Sequence, residues 1–152
     1  MRLDVLLVED SAGDVRLTQE AFRDANMAAH LPNTTVHLHV AFDGVEAMAF
    51  LRREGERADC PRPDLILLDL NLPRMDGREV LQEIKGDPLL RTIPTVILTT
   101  SESAADIANS YRLQANCYLS KPQHLEAFES LVRSVNDFWL TKAKLPQQRE
   151  SG

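Results

Sequence analysis

Short apolar runs separated by amphipathic stretches are the feature that most limits how this chain can fold. The runs are Leu3 to Val8, Thr35 to Phe42, Leu65 to Leu70 and Ile93 to Thr99, with a weaker fifth at Ala115 to Leu119. Three of the first four are nearly continuously apolar, as strands are when both faces of their sheet are covered. The Thr35 to Phe42 run alternates, with Val36, Leu38 and Val40 on one face and His37 and His39 on the other. That pattern suits a half-exposed edge strand. Helical spacing fills the gaps. A first helix opens at Ser11, where Asp14 gives a capping-box-like start, and continues through Val15, Leu17, Ala21, Phe22 and Ala25. Others span about Gly44 to Glu54, Gly77 to Lys85 (ending near Gly86 and Pro88), a stretch from Ser103 through Tyr111, and His124 to Leu140. Strand and helix alternate five times, which predicts an α/β fold: a doubly wound, five-stranded parallel sheet with right-handed crossovers. The 152 residues, 43% hydrophobic and 26% charged, fit one domain that needs no staple.

In an open parallel sheet the site lies beyond the carboxyl ends of the strands. Strand one ends in Glu9-Asp10, strand three in Asp69 with Asn71 two residues on, and strand four in Thr99-Thr100. Strand five leads into Lys121-Pro122. Carboxylates crowded in one crevice repel one another and call for a cation. Oxygen donors suit Mg²⁺, which keeps open positions for phosphate oxygens. A carboxylate can act as nucleophile toward a phosphoryl group, and such a transfer asks mainly for in-line placement and cations around the equatorial oxygens. Mg²⁺ and Lys121 can share that role, and Thr99 can donate a hydrogen bond. Each element has a plainer reading: a solvated acidic turn, a Thr that caps the next helix, a Lys-Pro that opens one. Their joint placement on one rim is the informative part.

With these residues in view, the sequence resembles the receiver domain of two-component response regulators, a flavodoxin-like fold. The matching pieces are Val8 to Ser11 (VEDS), Leu65 to Gly77 (LILLDLNLPRMDG), Pro94 to Ser101 (PTVILTTS) and Tyr118 to Pro122 (YLSKP), and the likeness runs from Leu3 to about Leu140. The resemblance implies that Asp69 is the phosphoacceptor. It implies that Asp10 ligates the metal, that Glu9 acts through water and that Asn71 offers its backbone carbonyl. It further implies that Thr99 is the switch hydroxyl, Lys121 the phosphate-contacting base and Tyr118 the switch aromatic, although Tyr118 also reads as a core aromatic with its hydroxyl at the surface. Two departures stand out: a long loop from Arg52 to Pro63, and Gln114 where the family often has Gly after helix four. The long loop, the segment Gly13 to Phe22 and the long last helix resemble the receivers paired with bacterial phytochromes. That implies a red-light-sensing histidine kinase as phosphodonor. The short N-terminal apolar run leaves a cytoplasmic protein as the default, and a receiver is not expected to be a conventional turnover enzyme.

The expected organisation is a receiver over 1–140 and a polar, frayed tail over 141–152, with no output domain, so that output runs through protein contact or onward phosphotransfer. Helix five carries a stripe of Leu125, Phe128, Val132, Val135 and Trp139, widened by Leu131, Phe138 and Leu140. The stripe reads as a broad core face or as part of a homodimer surface through helix four, strand five and helix five.

Other classes fit less well. A net charge of -6 and a pI near 5.2 argue against nucleic-acid backbone or an anionic membrane, and the N-terminal apolar run is too short for a signal segment. An aspartate-nucleophile phosphatase wants a second acid where Asn71 stands. No glycine-rich nucleotide fingerprint follows strand one. Cys60 and Cys117 read as reduced thiols, Cys60 in a loop. His30, His37, His39 and His124 lack metal-ligand spacing, and the Arg52 to Arg62 charges read as a solvated surface. The remaining alternative is a receiver-like interaction module that never uses phosphate.

Overall fold

The computed structural model describes residues 1–29 and 34–147. His30 and the end of the tail lie outside the described residues. The strands are β1 (Arg2–Val8), β2 (Thr35–Ala41), β3 (Leu65–Leu68), β4 (Thr95–Thr99) and β5 (Cys117–Ser120). The helices are α1 (Ala12–Ala29), α2 (Gly44–Arg52), α3 (Gly77–Gly86), α4 (Ala104–Arg112) and α5 (Leu125–Val135). All pairings are parallel, in the order β2-β1-β3-β4-β5. The alternating strand is the edge strand β2, and the continuous apolar runs lie inside the sheet.

Strand side chains alternate between two cores. Leu6, Val8, Ile66, Leu68 and Ile97 pack on one face with α2 and α3. Val5, Leu7, Leu65, Leu67 and Val96 pack on the other with α1 and α5. Val5, Leu6, Val8 and all of Leu65–Leu68 are 0% exposed, so the central strands have no solvent face and no room for polar alternation.

Several local readings need correction. Ser11 caps α1, its Oγ accepting from Asp14 N at 3.3 Å, but Asp14 does not return the bond. Ser11 N donates to Glu9 Oε1 instead, at 3.1 Å. Neither Thr99 nor Thr100 caps α4; Ser103 does. The last helix is not uniform: past Val135 it widens into a π-helical segment, Asn136–Lys142. Within the wider turn Leu140 is buried while Phe138 stays 54% exposed, and at the start of α5 Leu125 is 53% exposed. The tail is not wholly frayed, since Leu145 packs against the core. The Arg52 to Pro63 loop is more than a solvated surface. It holds a 3₁₀ turn, Gly55–Arg57, and the Arg57 guanidinium pairs with Glu46 at 2.8 Å and sits 5.7 Å from the Phe50 ring centre. Cys60, half-buried, packs on the same core. Gln114 adopts φ 76°, the left-handed conformation that Gly takes without strain.

Two loops meet closely at the carboxyl rim. A Cβ on Gly77 would lie 2.1 Å from the Asp69 carbonyl oxygen, and one on Gly44 would lie 2.1 Å from that of Met75. Both obstacles are backbone, which cannot swing aside. Gly77→Ala is therefore expected to lower stability by about 2–4 kcal/mol, read as a lower urea midpoint at unchanged slope.

Candidate functional site

The chain leaves β1 toward β2 on one side and returns as β3 on the other, so the β1/β3 junction is the topological switch point of the sheet. Residues just past the strands continue the ladder and are held by it. Glu9 N donates to Ala41 O at 3.0 Å, Asp69 N to Val8 O at 3.0 Å and Lys121 N to Thr99 O at 2.7 Å. These bonds aim three polar side chains into one crevice.

Asp69 is 7% exposed and fully engaged. Its Oδ1 accepts from Thr99 Oγ1 at 2.8 Å and Asn71 N at 3.1 Å, and its Oδ2 accepts from Lys121 Nζ at 3.0 Å. Lys121, 8% exposed, also donates to Glu9 Oε2 and, at 3.0 Å, to Asp14 Oδ2. Glu9, Asp10 and Asp69 each bring a carboxylate oxygen to within 4.8 Å of the others, and among the described residues no other His, Cys, Asp or Glu cluster of this kind occurs. One ammonium thus serves three carboxylates, and Asp10 adds a fourth to the crevice. Burial, with Asp69 adding repulsion, pushes the Glu9 carboxyl up to about 7. Burial alone would lower Lys121, but the Glu9 hydrogen bond and the Asp69 charge hold it above its ordinary range. The crevice is short of positive charge, and its donors are all oxygens, which fits a hard divalent cation.

A second network lies beside this one. Tyr118 OH donates to Ser101 O at 3.0 Å, and Ser120 Oγ reaches the same carbonyl at 3.3 Å. Ser101 Oγ donates to Asp106 Oδ2 at 2.6 Å, and Arg78 Nη2 reaches Asp106 Oδ1 at 2.8 Å. The Ser101 hydroxyl, then Arg78, holds the Asp106 carboxyl below its usual range. The loop after β4 is therefore tied to both β5 and α3.

Glu9, Asp10, Asp69, Thr99 and Lys121, proposed from the sequence, do converge, and Tyr118 touches the loop that follows Thr99. Asn71 is exposed, its N–H turned to Asp69. In sequence Asp14 reads only as part of a helix cap, and nothing marks Ser101, Asp106 or Arg78 for a role. Asp14 was findable in principle, since the first turn of the helix that follows strand one lies at the carboxyl rim of the sheet.

The family model described as "Response regulator receiver domain" matches residues 5–133. The chain belongs to that family. Among relatives of this receiver domain, response regulator Rcp1 from a Synechocystis species is 47% identical over 142 residues, covering 93% of this chain and 92% of the relative. The Mn²⁺-bound form of Rcp1 superposes with TM-score 0.87 at 46% identity, covering 95% of this chain and 99% of that one. The phosphorylated cyanobacterial phytochrome response regulator RcpA superposes with TM-score 0.89 at 47% identity, covering 97% and 100%.

Proposed function

We propose that this receiver is a phosphorylation switch in which Asp69 accepts a phosphoryl group from the phosphohistidine of a histidine kinase. The observation that carries this reading is the Asp69 carboxylate, held between Thr99 Oγ1 at 2.8 Å and Lys121 Nζ at 3.0 Å, with Glu9 and Asp10 alongside. In the transfer the N–P bond of phosphohistidine breaks, an Asp69 carboxylate oxygen bonds to phosphorus, and imidazole leaves. When bound, Mg²⁺ supplies charge against the phosphoryl oxygens. Asp10 and Asp69 would hold it directly, Glu9 through water and Asn71 through its backbone carbonyl. Lys121 supplies the second cation. Thr99 exchanges its bond to Asp69 for one to a phosphoryl oxygen, and the displacement reaches Tyr118 through Ser101. Phosphorylation shifts the equilibrium only through contacts that differ between the two states. The chain takes up and loses its own phosphate rather than turning over a substrate.

The likeness to RcpA, a phytochrome response regulator, supports a phytochrome-type kinase as donor, and the reading takes the setting to be cytoplasmic. In this reading residues 1–140 form the switch and those from 141 on stand outside it. Exposed Tyr111 on α4, Leu125 on α5 and Phe138 just beyond it support a homodimer through α4, β5 and α5. Sedimentation across a range of concentrations should show a reversible dimer, and a strict monomer with and without phosphate ends that part of the proposal.

The central test uses Mg²⁺ and phosphoramidate. The chain should gain one hydroxylamine-labile phosphoryl group by intact mass, with the rate falling by at least about tenfold when the divalent cation is chelated. Uptake that ignores chelation refutes the reading. No uptake at all leaves the phosphate-free interaction module.

A further inference from the structure

Resting on the phosphoacceptor reading, we propose that Asp14 is a further positioning residue for phosphoryl transfer, tethering the Lys121 ammonium at the mouth of the site. An ammonium has three donors, and the Lys121 contacts account for all of them: Glu9 Oε2, Asp69 Oδ2 at 3.0 Å and Asp14 Oδ2 at 3.0 Å. Two of these partners have other work. Asp69 is the reacting group, and Glu9 belongs with Asp10 and Asp69 to the cluster that fits a cation; Asp14 does not. When the other two are recruited, Asp14 keeps its hold.

Its position suits the task. Asp14 sits in the first turn of α1, where backbone bonds fix it: Asp14 N to Ser11 Oγ at 3.3 Å and Thr18 Oγ1 to Asp14 O at 2.7 Å. Its carboxylate is free of helix-capping duty and 33% exposed, while the lysine it holds is 5% exposed at the side chain. A cavity of about 320 Å³, bordered by Asp14, Thr100, Glu102, Gln123 and Phe128, opens beside Lys121. The ammonium therefore stands between the opening and Asp69. A lysine stem is flexible, and a fixed third acceptor removes rotamers that would withdraw the charge from an entering phosphoryl group.

Charge alone predicts the opposite behaviour. Asp14 adds a negative charge near an incoming anion, so if it acted only as a charge its removal would speed the reaction. As a tether its removal slows it. The test is the second-order rate constant for labelling by phosphoramidate at saturating Mg²⁺. Asp14→Asn, whose neutral amide accepts more weakly and can turn its NH2 toward the ammonium, should lower it on the order of fivefold, the scale of one partly exposed charge-assisted hydrogen bond. Asp14→Glu should keep it within about twofold, because the acceptor charge is retained. In a Lys121→Met background, labelled slowly, Asp14→Asn should cause no further loss. An Asp14→Asn chain as fast as the unmodified one, or faster, overturns the tether and leaves the phosphoacceptor reading standing. So does a loss of equal size without Lys121. An unmodified chain that takes up no phosphoryl group sinks both.

Discussion

Asp69→Asn is expected to abolish phosphoryl uptake, by at least about a hundredfold, while leaving a folded and somewhat more stable protein. The two effects have one cause. The amide oxygen can replace Oδ2 and keep the Lys121 bond, while the NH2 replaces Oδ1 and donates to the Thr99 hydroxyl. Only the Asn71 N–H loses its acceptor, so most of the hydrogen bonding around position 69 survives. The amide carries no negative charge, so it is no nucleophile, and the crevice loses one of the carboxylates that repel Glu9. Intact mass after exposure to phosphoramidate and Mg²⁺ reads the first effect, and urea unfolding reads the second. An adduct that persists in Asp69→Asn places the acceptor elsewhere. A variant that unfolds shows that the Asp69 charge holds the site together instead of straining it.

The metal-free protein should become more stable as pH falls from about 7.5 to 5.5, contrary to the usual acid behaviour of carboxylate-rich proteins. Burial pushes the folded Glu9 carboxyl up to about 7, against 4.5 for a solvated glutamate. The folded state therefore binds a proton that the unfolded chain releases between those values. The resulting stability is complete below 4.5 and lost as pH rises through 7. After allowance for solvent screening it amounts to about 2–3 kcal/mol. Subtracting the same measurement on Glu9→Gln isolates this contribution from the histidines. A divalent cation favours the ionised form, so added Mg²⁺ should flatten the slope. Stability in the Glu9→Gln chain that tracks the unmodified protein across this range, with Mg²⁺ absent, would rule out a buried Glu9 proton.

The fold was legible because its two signals are local. Leu65–Leu68 and Val5–Val8 have no solvent face and so show no alternation, while β2 alternates because it lies at an edge. The five residues at the crevice were legible for a different reason: in a parallel sheet, strand ends converge whatever the loops do. What stayed hidden depends on side-chain reach. The pattern at Ser11 and Asp14 is that of a capping box, yet Asp14 is drawn away by an ammonium more than a hundred residues along the chain. Uniform helical periodicity puts the helix-five stripe on one face throughout, whereas the last residues sit in a local π-helical widening, where Leu140 is buried. Gln114 is a departure from the family pattern whose reason the sequence hides; its left-handed backbone conformation is one that glycine adopts without strain.

The loop between β4 and α4 is bound in an unusual way. Two hydroxyls from β5 share one acceptor, the Ser101 carbonyl, and Ser101 and Arg78 converge on one carboxylate, that of Asp106. Shared acceptors do not yield one strand at a time. Once the loop shifts far enough to lose one bond, the geometry of its neighbours is lost with it. The transition between resting and signalling forms should thus be a snap action, with few intermediates, governed by hydroxyl groups that make no contact with the Asp69 carboxylate.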